Sequence, residues 1–218
     1  MRHSLCVLCV AVLCAFALCA VSCTQHKLDL INSIVCPVFA FETESSYASC
    51  RLCAYMQTRS EPGYLRMMQI DSENTGYRWN VSQLQYIYSS NGKWAGSSSM
   101  YMPRGAALPE GKVRLTAINA DSQTVERTFN LDYPKKLLSI DYKTFLSSED
   151  YQKLVQQYIV FYDAEGAVIN CELIKPDKNN QETDVPEAVT SRNLFVARDK
   201  SFAVLSPAKA LAEKAQKK

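Results

Sequence analysis

The sequence predicts a mainly β protein: an antiparallel β-sandwich followed by a smaller α+β unit, behind an N-terminal signal helix. Three observations predict it. Short runs rich in Val, Ile, Tyr, Phe and Thr recur between turn residues at Pro62-Gly63, Thr75-Gly76, Asn91-Gly92, Arg104-Gly105, Glu110-Gly111 and Glu165-Gly166. Several of these runs alternate apolar with polar residues, the period of a strand covered on one face only. After Tyr133-Pro134 the pattern changes to a short helix followed by a hairpin.

The chain opens with Arg2 and an uncharged apolar stretch from Leu5 to Ala20, and Ala20-Val21-Ser22 then places small residues before Cys23. Charge, apolar middle and small residues in that order mark an export signal, here residues 1–22. The segment resembles the signal of bacterial lipoproteins, whose lipobox ends in small residues before an acceptor cysteine. Ala20 stands where that family usually has leucine, as in the relaxed boxes of spirochaetal lipoproteins. The resemblance implies that Cys23 receives a diacylglyceryl group and that cleavage precedes it. It also implies a cell-envelope location, on the outer membrane or the periplasmic side of the inner one. Cleavage after Ser22 without lipid, or an uncleaved anchor from Leu5 to Ser22, is compatible with the same residues. Lipid on Cys23 would hold the chain at a bilayer, because each buried methylene contributes about 0.8 kcal/mol.

About 200 residues remain after residue 22, enough for one large or two small domains. We expect a tether over 23–36, the sandwich over 37–134, the α+β unit over 138–206 and a Lys-rich helix or tail over 207–218. The net charge of +2 gives no concentrated basic face for nucleic acid. Both histidines, His3 and His26, lie at the N-terminus. Histidine-based triads and histidine-ligated zinc are therefore not expected in the body. The seven glycines form no phosphate loop and no dinucleotide fingerprint. A pair of distant carboxylates would leave no local trace, but nothing else points to an enzyme or a cofactor.

Along the body, Tyr64–Ile70 reads as a strand, and Tyr77, Trp79 and Val81 share one face of the next. Leu84–Ser89 and Ser98–Met102 read as two more, around the Asn91-Gly92 turn. Leu108-Pro109-Glu110-Gly111 fits a type I turn. Val113, Leu115 and Ala117 then alternate with Lys112, Arg114 and Thr116. After a turn near Asp121-Ser122, Val125, Phe129 and Leu131 form a second greasy face, broken by Arg127 near an edge. Together, the Trp-bearing strand, Leu108-Pro109-Glu110-Gly111-Lys112-Val113-Arg114-Leu115 and Glu126-Arg127-Thr128-Phe129-Asn130-Leu131 resemble the late strands of immunoglobulin-like or fibronectin-III-like domains of bacterial surface proteins. The resemblance implies a sandwich of about 100 residues and carries no catalytic residues.

Further on, Ser147 reads as the cap of a short helix, with Glu149 and Asp150 in its first turn and Tyr151, Leu154, Val155 and Tyr158 along one side. Ile159–Tyr162 and Ala167–Ile174 flank a turn at Asp163–Gly166 and predict a hairpin. Residues 176–186 read as a loop, Asn193–Ala197 and Phe202–Leu205 as strands, and Ser206-Pro207 as a helix start.

Cys36, Cys50, Cys53 and Cys171 are candidate disulfide partners in an exported protein, with the pairing open, or else free buried thiols, a reading that the alternation of Cys171 with Ile169 and Leu173 supports. Cys50-Arg51-Leu52-Cys53 has redox-motif spacing without the strand-to-helix setting that motif needs. On a strand the two thiols point to opposite faces; on a helix, which Ala48, Leu52, Tyr55 and Met56 also fit, they share a side. One pair of cysteines does not make a zinc site, so no metal is expected. Tyr86, Tyr88 and Trp94, near Tyr101, form a candidate strip for a protein or glycan partner, although the favoured reading is that Leu84, Tyr86 and Tyr88 face the core as ordinary strand residues. The expectation is a non-enzymatic, membrane-anchored interaction or envelope-structural module. A carbohydrate- or peptidoglycan-binding module and a thiol–disulfide protein using Cys50 and Cys53 are the alternatives.

Overall fold

The computed structural model describes residues 28–59, 62–89, 92–174, 185 and 187–211. The signal segment and Cys23 lie outside them. The described chain is mainly β, with thirteen strands and two short helices.

The strands are β1 (Leu30–Ala40), β2 (Ser49–Thr58), β3 (Leu65–Ser72), β4 (Arg78–Val81), β5 (Gln85–Ser89), β6 (Gly92–Met100), β7 (Gly111–Asn119) and β8 (Thr124–Leu131). Then come helices α1 (Tyr142–Ser147) and α2 (Glu149–Leu154), and strands β9 (Val155–Tyr162), β10 (Val168–Leu173), β11 (Thr190–Ala197), β12 (Ala203–Leu205) and β13 (Lys209–Ala210). A large sheet runs in the order β10-β9-β11-β12-β1-β2-β6-β5, with β13 added on β11. A four-stranded sheet runs β4-β3-β7-β8. Every pairing is antiparallel except β1 with β12, where Val38, Phe39 and Ala40 lie beside Ala203, Val204 and Leu205.

Burial follows the alternation in the sequence. On β1, Val35 and Phe39 face the main core, and on β2 so do Leu52, Ala54 and Met56. Met68 and Ile70 on β3, with Val113, Leu115 and Ala117 on β7, meet them from the small sheet. The turn before β7 uses Gly111 at φ +87°, a conformation that suits a residue without Cβ. Over the other half of the large sheet, α1 supplies Tyr142 and Phe145. These rings pack on Phe41 and Phe195, with Phe145 and Phe195 centroids 5.2 Å apart. One buried cluster thus extends from the small sheet to the helices. On the opposite face of the large sheet, Cys36, Val38, Ala40, Ala203 and Leu205 form a second, smaller cluster.

Three local expectations differ from the structure. Ser147 ends α1 instead of capping the next helix, and Asp141 is the working cap, accepting from Thr144 N at 2.8 Å. Val155 and Tyr158 lie on β9, because the run of β-branched and aromatic residues from Val155 to Tyr162 pairs with β11. In the tail, Lys209–Ala210 pairs with Thr190 and Ser191 as β13, where Ser206-Pro207 suggests a helix start.

Candidate functional site

An open cleft of about 370 Å³ lies where β4 and the segment after it meet β6. Trp79, Asn80, Ser82, Gln83, Ser99 and Tyr101 are among its lining residues. Trp79 comes to the rim because β4 alternates. Its ring is buried, packed edge-on against Tyr77 at 4.7 Å, and its Nε1 donates to the Tyr101 carbonyl at 3.2 Å. That bond ties the small sheet to the end of β6. Tyr101 is 51% exposed. The Arg51 guanidinium sits 5.9 Å from its ring centroid, and Arg51 Nη1 donates to its hydroxyl at 2.9 Å. The cleft therefore offers one accessible aromatic face, a cation beside it and several small polar groups.

The aromatic strip expected at Tyr86, Tyr88 and Trp94 is divided by the β5–β6 register. Tyr86 pairs with Ala95 and Tyr88 with Lys93, whereas Trp94 pairs with Ile87 and so projects from the other face. Tyr86 and Ile87 are each 43% exposed, since β5 is the last strand of the large sheet. On the face of Trp94, the ring of Tyr55 lies across Gly96, and its hydroxyl donates to Gln85 Oε1 at 2.6 Å. Burial, and then the neighbouring Cys53, push the Tyr55 hydroxyl up to about 12.

The four cysteines separate by strand geometry. Cys50 and Cys53 are both on β2, on opposite faces, so this spacing does not bring the two sulfurs together. Cys50 packs against the main core, where burial pushes its thiol up to about 12. Cys171 is exposed, not buried as its alternation with Ile169 and Leu173 suggests, because β10 is the terminal strand of the large sheet. Cys36 and Cys53 are direct cross-strand partners on β1 and β2. The Cys53 thiol donates a hydrogen bond to Cys36, which lowers the Cys36 thiol and raises that of Cys53. All four are free thiols.

Tyr162 on β9 is raised by burial, while Arg192 and Arg51 pull it down.

Sequence reasoning missed the cleft, since Trp79 and Tyr101 lie in separate runs and only the cross-sheet bond joins them. The lipid acceptor Cys23 is outside the described residues. Among those described, no helix is long and apolar enough to cross a membrane, and no group of three His, Cys, Asp or Glu side chains is placed to hold a metal. No protein-family model and no curated protein sequence matches this chain.

Proposed function

We propose that this protein is a membrane-anchored bacterial lipoprotein, held by lipid on Cys23, that presents an immunoglobulin-like β domain as a non-enzymatic interaction module of the cell envelope. The domain reading is supported by strand order. Taking β1 to β8 in sequence as A, B, C, C′, D, E, F and G, the sheet orders β1-β2-β6-β5 and β4-β3-β7-β8 become A-B-E-D and C′-C-F-G, the arrangement of that family. One departure is that the buried tryptophan, Trp79, is on β4 and not on β3.

The interaction reading rests on one observation: β5 is a terminal strand that leaves Tyr86 and Ile87 substantially exposed. Such an edge suits an extended segment of a protein partner, added as a further strand with the two side chains as anchors. Cross-linking on intact envelopes from a photoreactive residue at position 86 tests it. A discrete adduct that disappears with Ile87→Lys supports the docking; no adduct, or one indifferent to Ile87→Lys, removes it. The anchor is tested separately. Cys23→Ser should abolish radioactive palmitate incorporation and release the chain from sedimenting membranes, and unchanged labelling would end the lipoprotein reading.

A second reading, glycan binding, is favoured by the cleft, whose Tyr101 face and polar rim suit a sugar ring. It shifts the expected residues from Tyr86, Tyr88 and Trp94 to Tyr101 and its neighbours. Peptidoglycan-fragment binding that survives Tyr101→Ala would dismiss it.

A further inference from the structure

We propose that Cys36 and Cys53 form a redox-sensitive cross-strand disulfide that clamps β1 to β2, using a small organic disulfide or an oxidised thiol carrier as oxidant.

The argument begins with register. The two cysteines face each other directly in the antiparallel β1–β2 pair, between Val35↔Ala54 and Pro37↔Leu52. Directly opposed residues have Cα atoms roughly 4.5–5.5 Å apart and side chains on one face. A disulfide needs about 4.4–6.8 Å, so the bond closes without moving the backbone. The alternatives lack this placement. Cys50 points to the opposite face of its own strand, and Cys171 lies on β10, at the far edge of the sheet.

Cys36 is buried and Cys53 half-buried, so the oxidant reaches Cys36 through local opening of this face. The Cys53 thiol already donates to the Cys36 sulfur, so Cys36 is the sulfur that ionises, and Arg51 two residues along the same face favours a thiolate at Cys53. The Cys36 thiolate attacks one sulfur of the oxidant R–S–S–R. A Cys36–S–S–R mixed disulfide forms, and the first RS⁻ leaves to take up a proton. Cys53 then loses its proton and attacks the Cys36 sulfur, expelling the second RS⁻. Two thiols become one disulfide and the oxidant becomes two RSH. The export signal would deliver the chain to a compartment where such oxidants persist.

The test uses the full chain, solubilised in detergent and prepared reduced, then exposed to oxidised glutathione. Acid quenching, alkylation and peptide mapping identify the bonds. The expected result is a Cys36–Cys53 cross-linked peptide, with Cys50 and Cys171 still alkylated. Closing a loop of this length should raise Tm by roughly 6–12 °C, reversed by dithiothreitol. Cys53→Ser should instead trap glutathione on Cys36. Persistent alkylation of both cysteines, a different pairing, or no glutathione on Cys36 in Cys53→Ser would overturn the proposal. Cys50→Ser, which leaves both partners in place, should give the same cross-link; its loss would also count against the assignment.

Discussion

Replacing Phe145 with alanine should lower the stability of strands that Phe145 never touches. The side chain is fully buried, with centroid distances of 5.2 Å to Phe195, 5.7 Å to Tyr151 and 6.4 Å to Phe41. Removing such a ring costs about 3–5 kcal/mol, and a cavity walled by rings from separate elements collapses poorly. With an m-value of about 2–3 kcal/mol/M in urea for a chain of this size, the midpoint should fall by roughly 1–2.5 M. Both tryptophans, Trp79 and Trp94, lie among β1–β8, while Phe145 covers the other half of the large sheet. The halves share a continuous core and the β1–β12 seam. Tryptophan fluorescence and far-ultraviolet circular dichroism should therefore shift together. An unmoved fluorescence midpoint beside an early loss of ellipticity would refute the coupling. Leu146→Ala is the control: Leu146 is 43% exposed, and its truncation should change stability by no more than about 0.5 kcal/mol.

Other outcomes follow from single contacts. Gly96→Ala places a Cβ 2.0 Å from the Ala54 carbonyl oxygen and 2.7 Å from Tyr55 Cδ1, so it should cost about 1–3 kcal/mol in chemical denaturation. Trp79→Phe removes the Nε1 bond to Tyr101 and should cost about 0.5–1.5 kcal/mol, with an altered cleft detectable by quenching of Tyr101. Although burial opposes it, Asp71 is held below its usual 3.8 by Gln69 and by Arg78, its cross-strand partner. A lowered folded-state pKa contributes stability that is whole above 3.8 and fades as pH falls through the lower folded value. Asp71→Asn should flatten the acid side of the stability profile, and an unchanged profile would exclude this contribution.

The β3–β4 and β7–β8 pairs were legible in the sequence because each has one wet face. Val113, Leu115 and Ala117 could be assigned inward from alternation alone, and all three are fully buried. Arg127 breaks that pattern, as a residue near an edge does, and β8 is an edge strand whose Arg127 reaches the Leu30 carbonyl. The stretch around Cys50 was ambiguous, since Leu52, Tyr55 and Met56 also fit a helical stripe. Pairing with β1 and β6 decides it, a tertiary effect that no local window contains. The β1–β12 contact was invisible for the same reason. It joins residues separated by most of the chain through three parallel pairs. Leu154-Val155 shows the limit at element ends, where helix and strand signals overlap and only the β11 partner fixes the boundary.

The described fold begins at the centre of its large sheet. Leu28 is buried, its amide donates to Gln123, and β1 follows at once between β2 and β12. On the proposed anchoring, the link from Cys23 to Leu28 spans at most about 17 Å, even fully extended. The β7–β8 turn would then rest close to the lipid headgroups. Arg51, at the level of Val38 on β1, lies about 26 Å further along the strand, which puts the Tyr101 cleft beside it at that remove from the anchored end. Any pull on a captured partner would enter through an interior strand and shear two neighbouring ladders at once, a geometry that resists peeling far better than attachment at a sheet margin.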